Sequence, residues 1–169
     1  SCVFDRLGVM IDISTNHNLF VIARALHVIA VVLWIGGVAF VTTVVIPYLK
    51  NSHSPESRLH IFEAIEGKFS FQAKLTTLLT GLSGFYLQYV TNAGTSIQWW
   101  VYPMVFIWAI FTIVLFVLEP LFLHNWFLRQ AEIDSKKTFF ILQVMHIVLL
   151  VISLIVVFVG VAGVHGLFY

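Results

Sequence analysis

From Ala25 to Leu49 the chain carries no aspartate, glutamate, lysine or arginine. A helix crosses the hydrocarbon of a bilayer in about 20 residues. A stretch of this kind is therefore committed to a membrane-spanning helix, because there the backbone must close its own hydrogen bonds. The whole chain agrees: 60% of its 169 residues are hydrophobic and 10% are charged, against about 25% charged in soluble domains. A formal net charge of +1 leaves no basic surface for nucleic acid, so none is expected as a partner. The lone Cys2 has no partner for an internal disulfide.

The sequence predicts an all-α integral membrane four-helix bundle, one domain over residues 1–169. Its spans cover about 18–48, 71–90, 99–119 and 138–167. Residues 1–17 mix apolar and charged side chains, as in a short helix lying on the membrane. No cleavable leader is visible, so the first span is expected to be retained. Pro47 and Lys50 are expected to end that span. Ser54-Pro55-Glu56 then reads as a helix start. Leu59, Phe62, Ile65 and Phe69 recur every three or four residues, which predicts an amphipathic helix on the cytoplasmic surface. In the second span Thr77, Gly81, Gly84 and Gln88 form a stripe where a helix or a flat ring can come close. Trp99 and Trp100 open the third span at the interface, and Glu119-Pro120 mark its end or a kink, with Glu119 in contact with water. The connections at 49–74 and 123–137 hold Lys50, Arg58, Lys68, Lys74, Arg129, Lys136 and Lys137. The other side has Arg6 and Arg24. Positive charge stays inside, so the connections are expected in the cytoplasm and both termini outside, in a bacterial-type inner membrane.

The candidate site residues are histidines. His27 and His146 lie within spans and His165 closes one. An ionisable group in lipid is costly and needs a partner. No zinc pattern is present, and neutral imidazoles from helices can ligate haem iron. At 1.5 Å per residue, His27 falls about 9 Å to the outer side of its span's centre and His146 about 9 Å to the inner side. They are thus expected on different irons, with His165 or His17 as partner for His27 and His60 or His124 for His146. Arg24, one turn outward of His27, is a candidate for a haem propionate, and Trp34, two turns inward, for packing on the macrocycle. Lys68 and Lys74 are candidates for the propionates of a second haem. The competing structural readings are plain ones. An intramembrane histidine can simply bond a neighbouring carbonyl, Arg24 can extend to the interface, and Gly36-Gly37 can serve helix packing. Copper is a rival metal, for which only Met10, Met104, Met145 and Cys2 supply soft ligands.

The stretch Arg24-Ala-Leu-His27 followed by Leu33-Trp34-Ile-Gly36-Gly37 resembles the first span of the superfamily of copper-resistance protein D and the HemJ-type protoporphyrinogen oxidases. The segment Phe62 to Phe69, the glycine-bearing second span and Trp99-Trp100 extend the likeness in layout over most of residues 20–165. The resemblance implies a four-helix membrane protein with haem b, and His27 takes the position of the family's first-span histidine. The HemJ-type enzymes carry a lysine after the Trp that opens the third span, where this chain reads Val101-Tyr-Pro-Met104. Their fourth span opens with an arginine and an Asn-Glu pair, where this chain reads Gln143-Val-Met-His146. The expected function is accordingly electron transfer across the membrane by one or two haems b, with iron ligated at His27 and His146. A quinone or a redox partner subunit would complete the chain, and an oligomer is compatible. The alternatives are a porphyrinogen-oxidising enzyme of haem synthesis and a copper-handling membrane protein.

Overall fold

The computed structural model describes residues 2–52, 54–91 and 96–167, and among these every regular element is helical. Helix α1 (Cys2–Phe40) runs through a π-helical stretch (Val41–Val45) into α2 (Ile46–Ser52). Helix α3 covers Pro55–Thr91 and α4 covers Val101–Ile113. A second π-helical stretch (Val114–Leu123) joins α4 to α5 (His124–Ile133), and α6 covers Ser135–Val164. Three helical rods are long and apolar enough to cross a membrane: Asn16–Asn51, Val101–Ile133 and Ser135–Val164. The rod formed by α3 carries Arg58, Glu63, Glu66, Lys68 and Lys74 in its first half.

Two helix starts follow from local chemistry. At Ser54 the carbonyl takes the N–H of Arg58 at 2.9 Å, and Pro55 begins α3, as a first-turn proline should. Asp134 caps α6 by accepting from the Lys137 N–H at 3.0 Å. Between Val90 and Val101 the amphipathic segment's helix has ended, but before that it runs on from Pro55 without a break into the expected second span. No hinge is needed because its apolar stripe simply continues.

The prolines behave differently from the sequence expectation. Neither Pro47 nor Pro120 ends a helix. Each lacks the N–H that an α-helical bond requires, and in each case the chain widens by one residue per turn in its neighbourhood and carries on. The first π stretch ends just before Pro47, and Ile46 donates to Val41 instead of Thr42. The second contains Pro120, and the His124 N–H goes to Glu119. Hydroxyls take up carbonyls around the first stretch: Thr42 donates to Val38 at 2.6 Å and Thr43 to Ala39 at 2.8 Å. Backbone groups in hydrocarbon have to be met in this way. The stretch from 123, expected as a loop, is therefore helix α5.

Two apolar clusters hold the rods. One gathers Trp34, Ile35, Val38, Ile107, Phe111, Leu150 and Val156, with Trp34 edge-on to Phe111 at 4.8 Å. The other gathers Val41, Val45, Ile46, Leu49, Phe62, Phe127, Ala131 and Phe139, in which the rings of Phe62, Phe127 and Phe139 lie 5.0 to 5.5 Å apart. Outside these, large apolar side chains such as Leu82, Phe106 and Phe158 face outward, where lipid would meet them.

Arg58 ties off the second cluster. It is buried. Its Nε donates to the Leu49 carbonyl at 3.1 Å, Nη2 to the Lys50 carbonyl at 3.1 Å and Nη1 to Ser135 at 3.4 Å. The planar guanidinium thus closes the C-terminal end of α2, where free carbonyls gather, and stacks near Phe139. Arg58→Met is expected to lower the unfolding free energy by about 1.5–3 kcal/mol, measured by denaturant titration in micelles. The same change at the exposed Arg129 should leave it unaltered.

Candidate functional site

His27 stands between α1 and α3. Its Nδ1 lies 3.1 Å from the Thr80 carbonyl and 3.1 Å from Ser83 Oγ. A carbonyl only accepts, so Nδ1 carries the proton and Nε2 keeps its lone pair. The ring rests on Gly84, where an added Cβ would come within 3.0 Å of it. The glycine stripe of α3 is thus filled by side chains of the protein itself: His27 over Gly84 and Trp108 over Gly81, with the Trp108 indole N–H donating to Thr77 at 2.9 Å. Gly37 lies against Phe69, whereas Gly36 faces open space.

His146 shows the same tautomer logic. Its Nδ1 donates to the Leu142 carbonyl at 2.9 Å, and Nε2 is left for another partner. His165 bonds Val161 similarly at 2.8 Å but is exposed. His17, His60, His124 and Arg24 are exposed as well.

The contacts between helices fix the relative heights. His27 meets α3 at Thr80–Gly84, Trp108 of α4 meets Gly81 of α3, and on α6 Met104 meets Gly160 and Trp100 meets Gly163. Following these contacts, His27 is level with a point about twelve residues, or about 18 Å, from His146 along α6. The two imidazoles are not brought together. His165 lies outward of His27 by about 10 Å on the same rise. The side chain with ligating chemistry closest to the height of His27 is Met104, which sequence spacing alone did not single out. His124 and His60 fall toward the far end of the rods from His146.

His146 lines a cavity of about 140 Å³ enclosed by all four rods, between the two apolar clusters. Both π-helical stretches contribute to its wall, through Val41 and Val45 on one side and Val114, Leu115, Glu119 and Leu123 on the other. Such stretches often mark functional places in helices. The wall is mostly apolar, with Glu66, Ser70, Glu119, Thr138 and His146 as polar exceptions. Glu119, read from sequence as water-facing, keeps 22% of its side chain exposed and is also partnered. Ser70 donates to its two oxygens at 2.8 and 2.9 Å, and Lys74 pairs with it at 2.9 Å. That pairing occupies Lys74, one of the cations considered for a second haem. Trp34 sits in the cavity wall, not against His27; it is 3% exposed and its indole N–H has no acceptor.

Among the described residues no three of His, Cys, Asp and Glu gather to hold a metal ion. Haem makes a smaller demand, since the porphyrin supplies four ligands and the protein one or two. The donor chemistry at His27 fits that group: an imidazole whose Nδ1–H is held by a carbonyl presents Nε2 in the manner of metal-bound histidines. The cavity at His146 does not fit it. Ligand pockets for drug-sized molecules measure roughly 300–1,000 Å³, well above its volume.

Burial pushes the Glu66 carboxyl above the usual carboxylate range, and the nearby Glu119 adds to this, against the opposing influence of His124 and Lys74. A raised value means that the folded protein favours the protonated acid. Stability from Glu66 is then present at acid pH and lost as pH rises through its folded value. Glu66→Gln is expected to melt higher than wild type at pH 8, with the difference closing toward pH 4, in thermal scans across that range.

No family model and no solved structure matches the chain. It is similar to an uncharacterised protein of Aquifex aeolicus (strain VF5), 29% identical over 138 residues, which cover 80% of this chain and 89% of that one.

Proposed function

We propose that the chain is a four-span inner-membrane protein that carries electrons by means of one haem b held at His27. In this reading α3 supplies the fourth crossing through residues 71–90. The lysine- and arginine-rich ends of the rods, with Arg58, Lys136 and Lys137, face the cytoplasm by the positive-inside rule. The observation that carries the proposal is the His27 hydrogen bond to Thr80, which fixes both the tautomer and the ring plane and makes Nε2 the ligating atom.

When bound, haem b supplies a one-electron iron couple. The chain's own residues do the rest. Thr80 and Ser83 hold the imidazole in one orientation. Arg24 lies one turn outward, exposed, where a propionate would reach it in a charge-assisted bond. Met104 stands near the height of His27 with its side chain packed on Gly160 of α6; it is the residue that would help hold the haem by its thioether, and histidine with methionine would raise the iron's potential. The gap between His27 and His146 keeps them off one iron, and the small cavity at His146 argues against a second haem there.

Absorption spectra of the purified protein in detergent test this. Wild type should show a Soret band and the reduced α-band of haem b. His27→Ala should abolish both, Met104→Leu should keep haem but lose the six-coordinate spectrum, and His146→Ala should leave the spectrum in place. Loss of haem in His146→Ala with retention in His27→Ala would overturn the assignment. A copper-loaded, haem-free preparation would favour the metal-handling alternative.

A further inference from the structure

The cavity at His146 is too small for a tetrapyrrole, yet it has the features of a built ligand site. Its volume of about 140 Å³ matches one six-membered ring: an engineered cavity of about 150 Å³ takes up benzene. Its wall is aromatic and aliphatic, with Phe69 and Phe111 among the lining rings. A purely apolar hole would need no polar groups, but this one has two that lack an obvious internal purpose. The Trp34 indole N–H is a buried donor with no acceptor, a state that costs free energy unless something fills it. The His146 Nε2 is an acceptor, because Nδ1 carries the proton to Leu142.

Their heights are complementary. Gly37 meets Phe69, which sets Trp34 roughly one turn, about 5 Å, outward of the level where Ser70 bonds Glu119. On α6 the residues facing Glu119 fall close to His146 by the Met104–Gly160 contact. One donor and one acceptor therefore flank the cavity at different heights, with a ring-sized apolar gap for the ligand.

We propose that this cavity binds the head group of a single-ring quinol, one hydroxyl oxygen accepting from Trp34 and the other hydroxyl donating to His146 Nε2. The choice of a quinol as ligand rests on reading the chain as an electron carrier, whereas the fit to a ring with two hydroxyls rests on the cavity. Along the rods Trp34 stands about 10 Å and His146 about 18 Å inward of His27, so ligand and haem would occupy separate places.

The test is equilibrium dialysis of the tail-free quinol 1,4-dihydroxybenzene, kept reduced under nitrogen, against the full chain in nanodiscs, prepared with and without haem. Saturable binding of one equivalent per chain is expected in both preparations, weakened about tenfold or more by His146→Leu and about three- to tenfold by Trp34→Phe. A second, cavity-filling variant, Ala73→Phe, should abolish it, with helical content checked by circular dichroism. Partition that does not saturate, or binding unchanged in His146→Leu and Trp34→Phe, overturns the proposal. A colourless protein that still binds the quinol overturns the haem reading and leaves this site standing. A red protein with no saturable binding does the reverse.

Discussion

The ion pair between Lys74 and Glu119, with Ser70 donating to the same carboxylate, is the interaction on which the interior depends. A carboxylate partly withdrawn from water is held best when it is paired and hydrogen-bonded, and Glu119 is 22% exposed. Here the partners come from α3 and the carboxylate from the π-helical stretch that precedes α5, so two rods are locked together at one height. The π geometry is part of the same solution. Pro120 follows Glu119 and removes an α-helical bond; the widened turn absorbs that loss and opens wall space on the cavity side. Val41–Val45 does the equivalent on the opposite rod next to Pro47. Without these two irregular turns the gap beside His146 would be bounded by regular helix on every side.

Two different environments for histidine emerge from one bundle. His27 is held by a carbonyl of another helix, which makes its orientation a property of the tertiary packing. His146 is held by the preceding turn of its own helix, so its orientation survives changes elsewhere and its free nitrogen is set by α6 alone. The first arrangement suits a metal ligand that must stay in one plane. The second suits a hydrogen-bonding group that meets a ligand which comes and goes. The height difference between them keeps the two roles apart.

Much of the helical layout was legible in the sequence because membrane helices announce themselves by long uncharged runs, and Ser54-Pro55 and Asp134 supply clear starts. The tautomers were also within reach, since an intramembrane histidine has few choices but a carbonyl. What spacing along the chain did not give were facts that belong to pairs of helices. Arg58 looked like one more cytoplasmic cation, and only the return of α2 beside α3 makes it a buried cap. Glu119 looked like a boundary residue because its partners, Ser70 and Lys74, sit 49 and 45 positions earlier. Pro47 was read as a stop and Pro120 as a stop or a kink; here the chain passes both in π register, with Ile46 donating to Val41 and His124 to Glu119. Trp34 was placed on the His27 face by helical periodicity, and periodicity does hold, but two turns of rise carry it into the next compartment.

The central proposal is one haem per chain, held at His27, and a different kind of site at His146. Quantification of haem b per chain in the purified, monodisperse protein tests it most directly, by the pyridine haemochrome absorbance set against protein mass. The account expects one haem per chain; two per chain, or none after expression with ample haem, would contradict it.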